Sequence, residues 1–159
     1  MMGEMLHADS IKQDTTKMYK TVGGRTVYGG GGITPDIFVP LDTTNYKGIL
    51  SKIYMGRSLE DFAYQYYLQN ETALSSYKTI GDFEKRFSLT DNDWKQFDIQ
   101  ATKDSVSLKT ISANSKNELA LLIKASIARQ LWRSEGFFEV NNTNDNVIKK
   151  AIEVLNKMH

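Results

Sequence analysis

The sequence predicts a mainly α-helical protein, in which a helical C-terminal module follows a short extended, β-like N-terminal arm with a glycine-rich loop. Three observations predict this. Seven of the eleven glycines and both prolines lie in residues 1–44, and these residues interrupt helices. From Tyr46 onward, apolar residues recur at three- and four-residue spacing, the period of a helix with one buried side. Ser, Thr and Asp stand before several of those runs, where N-caps belong. The polar stretch Asp42-Thr43-Thr44-Asn45 divides the chain into residues 1–44 and 45–159.

In the arm, Thr26, Val27 and Tyr28 have strand character, as do Ile37, Phe38 and Val39. Between them stand Gly29, Gly30, Gly31 and Gly32, which remove every Cβ and permit positive φ or close approach to another surface. Pro35 fixes φ and disfavours helix at Thr34, so the chain leaves the loop extended. The expectation is strand, glycine loop, strand.

In the module, Tyr46, Ile49, Leu50 and Ile53 begin a helix that Gly56 can end. Ser58 with Asp61 reads as an N-cap and acidic first turn, and Leu59, Phe62, Ala63, Tyr66 and Tyr67 form one apolar face. Leu74 and Tyr77 extend that helix towards a break near Gly81. Residues 79–88 give a short helix with Phe83 and Phe87 on one side. Thr90 and Asp93 open another, carrying Trp94, Phe97 and Ala101. At 104–111, Val106 and Leu108 alternate with Ser105, Ser107 and Lys109, which suggests a strand. The best-defined helix spans 116–135. Ser115 and Glu118 form a capping box there, Leu119, Leu122, Ile123, Ile127 and Leu131 share a face, and Gly136 stands at C′. A final helix after Asp145 carries Val147, Ile148, Ala151, Ile152 and Leu155.

Composition narrows the function classes. At 159 residues, the chain suits one domain or one small domain with an arm. A net charge of +1 gives no global attraction to nucleic acid or an anionic membrane. No basic stripe interleaved with aromatics argues for nucleic-acid binding. There is no cysteine, which removes disulfides and thiolate metal sites. No apolar stretch approaches the ~18 residues of a membrane span. His7 and His159 lie near the termini, so neither a Ser/His/Asp triad nor a histidine zinc site is expected, and no cofactor is implied.

The tetraglycine does not read as a phosphate cradle. That chemistry needs a Lys-Ser/Thr pair opening a helix, and Ile33-Thr34-Pro35 follows here. A structural loop is the plain reading, and a segment lying beside a peptide groove is the functional one. Arg25 and Asp36 flank the loop and can pair across it. An exposed pair is worth about 0–1 kcal/mol, so it would orient the loop rather than hold the fold. The alternative is that Arg25 contacts a substrate carboxylate. Tyr64, Tyr66, Tyr67 and Tyr77 suit core packing first and a protein-binding face second. Lys149, Lys150 and Lys157 suit a solvated helix C-terminus.

Gly24-Arg25, Gly31-Gly32-Ile33 and Pro35-Asp36-Ile37 with Val39 resemble the end of the protease domain in C-terminal processing peptidases. These tail-specific proteases are serine peptidases with a Ser/Lys dyad. Asp14-Thr15-Thr16-Lys17 and Tyr19-Lys20-Thr21 fit the approach to that motif, and residues 125–132 with Gly136-Phe137-Phe138 resemble the helical tail of bacterial members. The motif residues carried over are Arg25, Gly29, Gly30, Gly31, Gly32, Pro35 and Asp36, in a structural or groove-side role. The family's nucleophile lies upstream in a Ser/Ala run and its lysine in a Gly-Lys-Gly context. Neither pattern occurs here, and Ser10 with Lys12 has none of that context.

The resemblance therefore implies the C-terminal part of such a peptidase, itself non-catalytic. It implies a structural, regulatory or oligomerisation role, and protein or peptide substrates met through the intact enzyme. It also implies the cell envelope or periplasm as location. A homodimer joined through residues 20–40 is a further expectation, because a strand pair cut from its sheet leaves edges open. The alternative is a stand-alone helical protein-interaction module without enzymatic activity.

Overall fold

The computed structural model of the chain describes residues 16–29, 35–40 and 48–157. Gly30, Gly31, Gly32, Tyr46, His7, His159 and the polar stretch 42–45 lie outside the described residues. The chain forms two compact units, Met1–Asp42 and Thr43–His159. The mainly helical fold with a short β-containing arm is as expected from the sequence.

The first unit is built on a hairpin. Strand β1 (Met18–Lys20) runs antiparallel to β2 (Thr26–Tyr28), with Met18 opposite Tyr28, Tyr19 opposite Val27 and Lys20 opposite Thr26. Its turn closes through Thr21 N–H donating to the Arg25 carbonyl (2.9 Å) and Gly24 N–H donating to the Thr21 carbonyl (2.9 Å). Gly24 has φ 80°, a value glycine takes at no steric cost. The strand expected at Ile37–Val39 does not form, because among the described residues no neighbour gives it a ladder. The partner of β2 is β1 instead.

Among its described residues the second unit has six α-helices and an aromatic core. Helix α1 (Ile49–Met55) follows Gly48 at φ 73° and buries Leu50 and Ile53. Helix α2 (Ser58–Leu74) buries Leu59, Phe62, Ala63 and Leu74 and bends at Asn70, whose side-chain amide donates to the Tyr66 carbonyl (2.9 Å). Helix α3 (Ile80–Arg86) is capped by Thr79, whose hydroxyl accepts from Asp82 N–H (3.1 Å). The break after α2 thus lies at residues 75–79, and Gly81 is inside α3. Helix α4 (Asp91–Ala101) opens with the full Thr90/Asp93 capping box. Phe62 meets Phe97 edge-on at 5.2 Å, Phe83 stacks on Phe87 at 4.5 Å, and Tyr77 meets Phe83 at 5.2 Å. Such pairs add about 0.5–1.5 kcal/mol each beyond the area they bury.

The strand suggested for 104–111 is replaced by two short 3₁₀ turns, Thr102–Asp104 and Leu108–Thr110. Local partners satisfy this backbone. Ser105 turns left-handed at φ 57°, Val106 N–H donates to the Ala101 carbonyl (3.1 Å), and Leu108 N–H donates to Asp98 Oδ1 (2.7 Å). The alternation reflected a buried Val106 in a turn, not a sheet face.

Helix α5 (Ala113–Asn142) starts earlier than the sequence suggests. Its cap is Ser112, which accepts from Ser115 N–H (3.1 Å), not a Ser115/Glu118 box. The larger correction concerns its end. The helix is broken at Trp132 (φ −127°, ψ 17°) and Arg133 (φ 57°, ψ −143°), and Gly136 does not terminate it. A Cβ built on Gly136 would lie 2.6 Å from the carbonyl oxygen of Ala128, eight residues back. In a straight helix eight residues rise about 12 Å. The Arg129 guanidinium lies over the Phe137 ring at 5.5 Å, and Asn114, Asn117 and Leu121 share a cleft with Thr143 and Asn144. Residues 134–142 therefore fold back antiparallel along 113–131. Gly136 is the point of closest approach, and Val140 is fully buried beyond it. Helix α6 (Asn146–Lys157) follows, with Asp145 Oδ1 accepting from Val147 and Ile148 N–H (2.7 and 3.0 Å).

Candidate functional site

The motif hairpin is the first candidate, because it holds the residues singled out in the sequence. Arg25 and Asp36 form an ion pair between two exposed side chains. In water such a pair orients the segment 35–37 against the hairpin turn and contributes little stability. Thr21 Oγ1 accepts from Arg25 N–H (3.2 Å), which fixes the arginine's backbone at the end of the turn. Pro35 is exposed.

Gly29 plays a packing role. Its N–H donates to the Lys17 carbonyl (2.7 Å), which prolongs the ladder by one bond. A Cβ there would lie 2.8 Å from Cε2 of Tyr19, so the ring lies across bare backbone. Around these groups the hairpin is uncovered. Met18 is 63 % exposed and Tyr19 59 %, and Val22, Val27, Tyr28 and Ile37 are exposed as well. An isolated two-stranded hairpin is at best marginally stable in water, and it gains stability when a third strand or a helix covers it. What this site offers chemically is two strand edges unpaired among the described residues, an apolar face and one oriented guanidinium. Among the described residues it holds no nucleophile paired with a base.

The helical unit offers three polar clusters. The first is an open cleft of about 430 Å³ where the two arms of α5 meet, lined by Asn114, Asn117, Glu118, Leu121, Thr143 and Asn144. Its amides and hydroxyl can hydrogen-bond a polar ligand. No lysine, histidine or serine lines it, so the cleft holds neither residue of a Ser/Lys dyad.

The second cluster is Lys124, the single charge in the apolar run Leu119–Ala128. Its amine donates to the Phe87 carbonyl (3.0 Å) and to the Glu84 carbonyl at the end of α3. Burial pushes its pKa down, opposed by the nearby Glu84 charge. A lysine with lowered pKa is what a Ser/Lys dyad needs, but this amine is occupied with carbonyls left open by a helix C-terminus. Its role is to tie α3 to α5. The interruption of an apolar run by one lysine was the signal available in the sequence.

The third cluster holds the start of α2. The Ser58 position expected as N-cap is the first helical residue, and Asp104 supplies the cap from 46 residues away. Asp104 accepts from Ser58 N–H (2.9 Å) and Arg57 N–H (3.4 Å). The Ser58 hydroxyl reaches both this carboxylate and the Gln100 carbonyl (3.1 Å). Hydrogen bonds from the Ser58 hydroxyl, then its N–H, hold the Asp104 carboxyl below its usual range. A Cβ on Gly56 would fall 2.0 Å from the Asp104 carboxylate, so glycine is required for the cap to reach its donors.

Of the tyrosines expected in the core, Tyr66, Tyr67 and Tyr77 pack against it, while Tyr64 points outward at 50 % exposure. Among the described residues there is no group of three metal-ligating side chains and no helix long and apolar enough to cross a membrane.

A family model described as a family of unknown function (DUF8443) matches residues 49–133. That stretch runs from the first residue of α1 to the reversal at Arg133, and it leaves the motif hairpin, the return arm of α5 and α6 outside. No curated protein and no solved structure matches the chain. The match covers more than half of the chain, which therefore belongs to the DUF8443 family.

Proposed function

We propose that this chain is the C-terminal part of a serine-type C-terminal processing peptidase, non-catalytic in itself. In this reading the motif hairpin completes the sheet of a protease domain, and the helical unit serves a structural, regulatory or oligomerisation role. The observation that carries the reading is the hairpin. Among the described residues its two edges are unpaired and its apolar face is exposed, and it sits at the residues that resemble the end of that domain. Such edges are ordinarily paired or covered in a finished protein. The intact enzyme would cleave near the C-termini of its substrate proteins, in the cell envelope or periplasm, with a lysine deprotonating the serine for acyl-enzyme formation. The oriented Arg25 and the glycine loop would then border the substrate groove.

The test is hydrolysis of an unstructured protein by the purified chain. No turnover is expected. Turnover abolished by replacing a serine within residues 1–159 would overturn the proposal.

A second reading, a stand-alone helical interaction module, is favoured by one observation. The family match covers α1 to α4 and the first arm of α5, and none of the motif. If this reading holds, residues 48–157 fold and bind a partner protein without the hairpin.

A further inference from the structure

Helix α6 is strongly amphipathic and buries no side chain. Val147, Ile148, Ala151, Ile152 and Leu155 share one side, and Lys149, Lys150, Glu153 and Lys157 the other. The four large apolar residues on that side are 38–58 % exposed. A sequence patterned for burial on one side, yet left in water, has a partner surface elsewhere.

A fitting surface lies on the same chain. The outward side of α2 exposes Tyr64 and Leu68, 50 % and 49 % accessible and one turn apart. Glu60, Asp61 and Glu71 are the charged residues of α2, which contains no lysine or arginine. Helix α6 has three lysines and one glutamate. We propose that in solution α6 of one copy packs on the outward face of α2 of a second copy, and reciprocally, in a closed two-fold dimer.

Two arguments select this occupant. The first is charge. Helix α2 carries three carboxylates and no basic residue, and α6 carries three lysines against one glutamate, so the two attract, while two α6 helices or two α2 helices would oppose like net charges. The second is area. One α6 face presents on the order of 400 Å² of apolar surface, about half of the ~800 Å² per partner in a stable complex. Two reciprocal contacts reach that size and close the assembly under two-fold symmetry. Both surfaces are exposed in the same chain, so α6 does not cover its own α2. A lipid surface fits less well. The apolar side of α6 has no aromatic residue, and Glu153 draws in Lys150 (2.8 Å) and Lys157 (2.6 Å) at the centre of the polar side.

The experiment is analytical ultracentrifugation of the full chain from about 1 to 100 µM, the range in which a modest dimer assembles. A dimer is expected, weakening with added salt. Ile152→Glu, an exposed position, gives a monomer with unchanged helical circular dichroism. Glu60→Lys with Glu71→Lys weakens the dimer by roughly tenfold or more, the cost of like charges in one interface. Adding Lys149→Glu with Lys150→Glu, near the start of α6 where acids suit the helix dipole, restores it. A chain monomeric throughout that range overturns the proposal. So does a dimer indifferent to both sets of changes, which would place the interface elsewhere, including residues 20–40. A monomer that binds phosphatidylserine vesicles through α6 overturns it as well.

Discussion

Replacing Gly136 with alanine separates the folded-back α5 from a straight one by the sign of the effect. In a straight exposed helix, Gly→Ala stabilises by about 0.8–1 kcal/mol through helix propensity. In the hairpin, the new Cβ meets the Ala128 carbonyl oxygen at 2.6 Å, Trp132 Cβ at 2.9 Å and the Ala128 carbonyl carbon at 3.1 Å. Two of these are backbone atoms of a buried helix, which do not rotate away, so the two arms must separate. Overpacking of this kind costs about 1–3 kcal/mol. The arms are held together by Val140, fully buried, and by Phe137 under Arg129, so separation also loosens those contacts. Set against the propensity gain, a net loss of about 1–2 kcal/mol follows. That lowers Tm by on the order of 4–8 °C for a unit of this size. Gly81 is the internal control. It lies inside α3 with nothing within 4 Å of a built Cβ, so Gly81→Ala should raise stability by about 0.5–1 kcal/mol. Thermal and urea unfolding followed by circular dichroism measure both. A rise in Tm for Gly136→Ala, matching Gly81→Ala, would refute the close approach and with it the reversal at Arg133.

Three further outcomes follow from the same geometry. Arg133 holds φ 57°, ψ −143°, which an L-residue adopts only under strain, so Arg133→Gly should stabilise the second unit by about 1 kcal/mol in urea unfolding. Asp104 has its carboxyl held low in the folded state, so its contribution is present above the unfolded value of about 3.9 and is lost as pH falls through that value towards the folded one. Asp104→Asn should flatten the acid limb of the stability–pH curve, and Gly56→Ala, which displaces the carboxylate, should flatten it too. Tyr66 is pushed up to about 12 by burial first, then by the Asp93 charge and by Tyr77. Its contribution holds below pH 10 and is lost as pH rises towards 12. In a phenolate absorbance titration one tyrosine should lag the others, and Tyr66→Phe should remove that lag.

What was legible in the sequence is what is locally encoded. The Thr90/Asp93 capping box, the apolar faces of α2 and α6, and the glycine end of α1 each depend on residues within a turn or two of one another. The reversal at Arg133 was not legible. Its positive φ falls on an arginine, a residue type that carries no turn signal, while the nearby glycine serves packing rather than chain reversal. The cap on α2 was misassigned to Ser58 because its true acceptor, Asp104, is distant in sequence. The strand expected at Ile37–Val39 failed for a related reason. Strand character sets a preference, but a neighbour decides whether a ladder forms. At the motif, the Arg25–Asp36 pairing could be anticipated from the residues flanking the loop. The close fit of Tyr19 on Gly29 could not, because it depends on the register of the hairpin.

The proposal that this chain is the C-terminal part of a Ser/Lys peptidase is tested most directly by the coding DNA upstream of the Met1 codon. An open frame continuing upstream through a Ser/Ala-rich run and then a Gly-Lys-Gly is expected. A stop codon close upstream of Met1 would contradict it and leave the interaction module as the reading that stands.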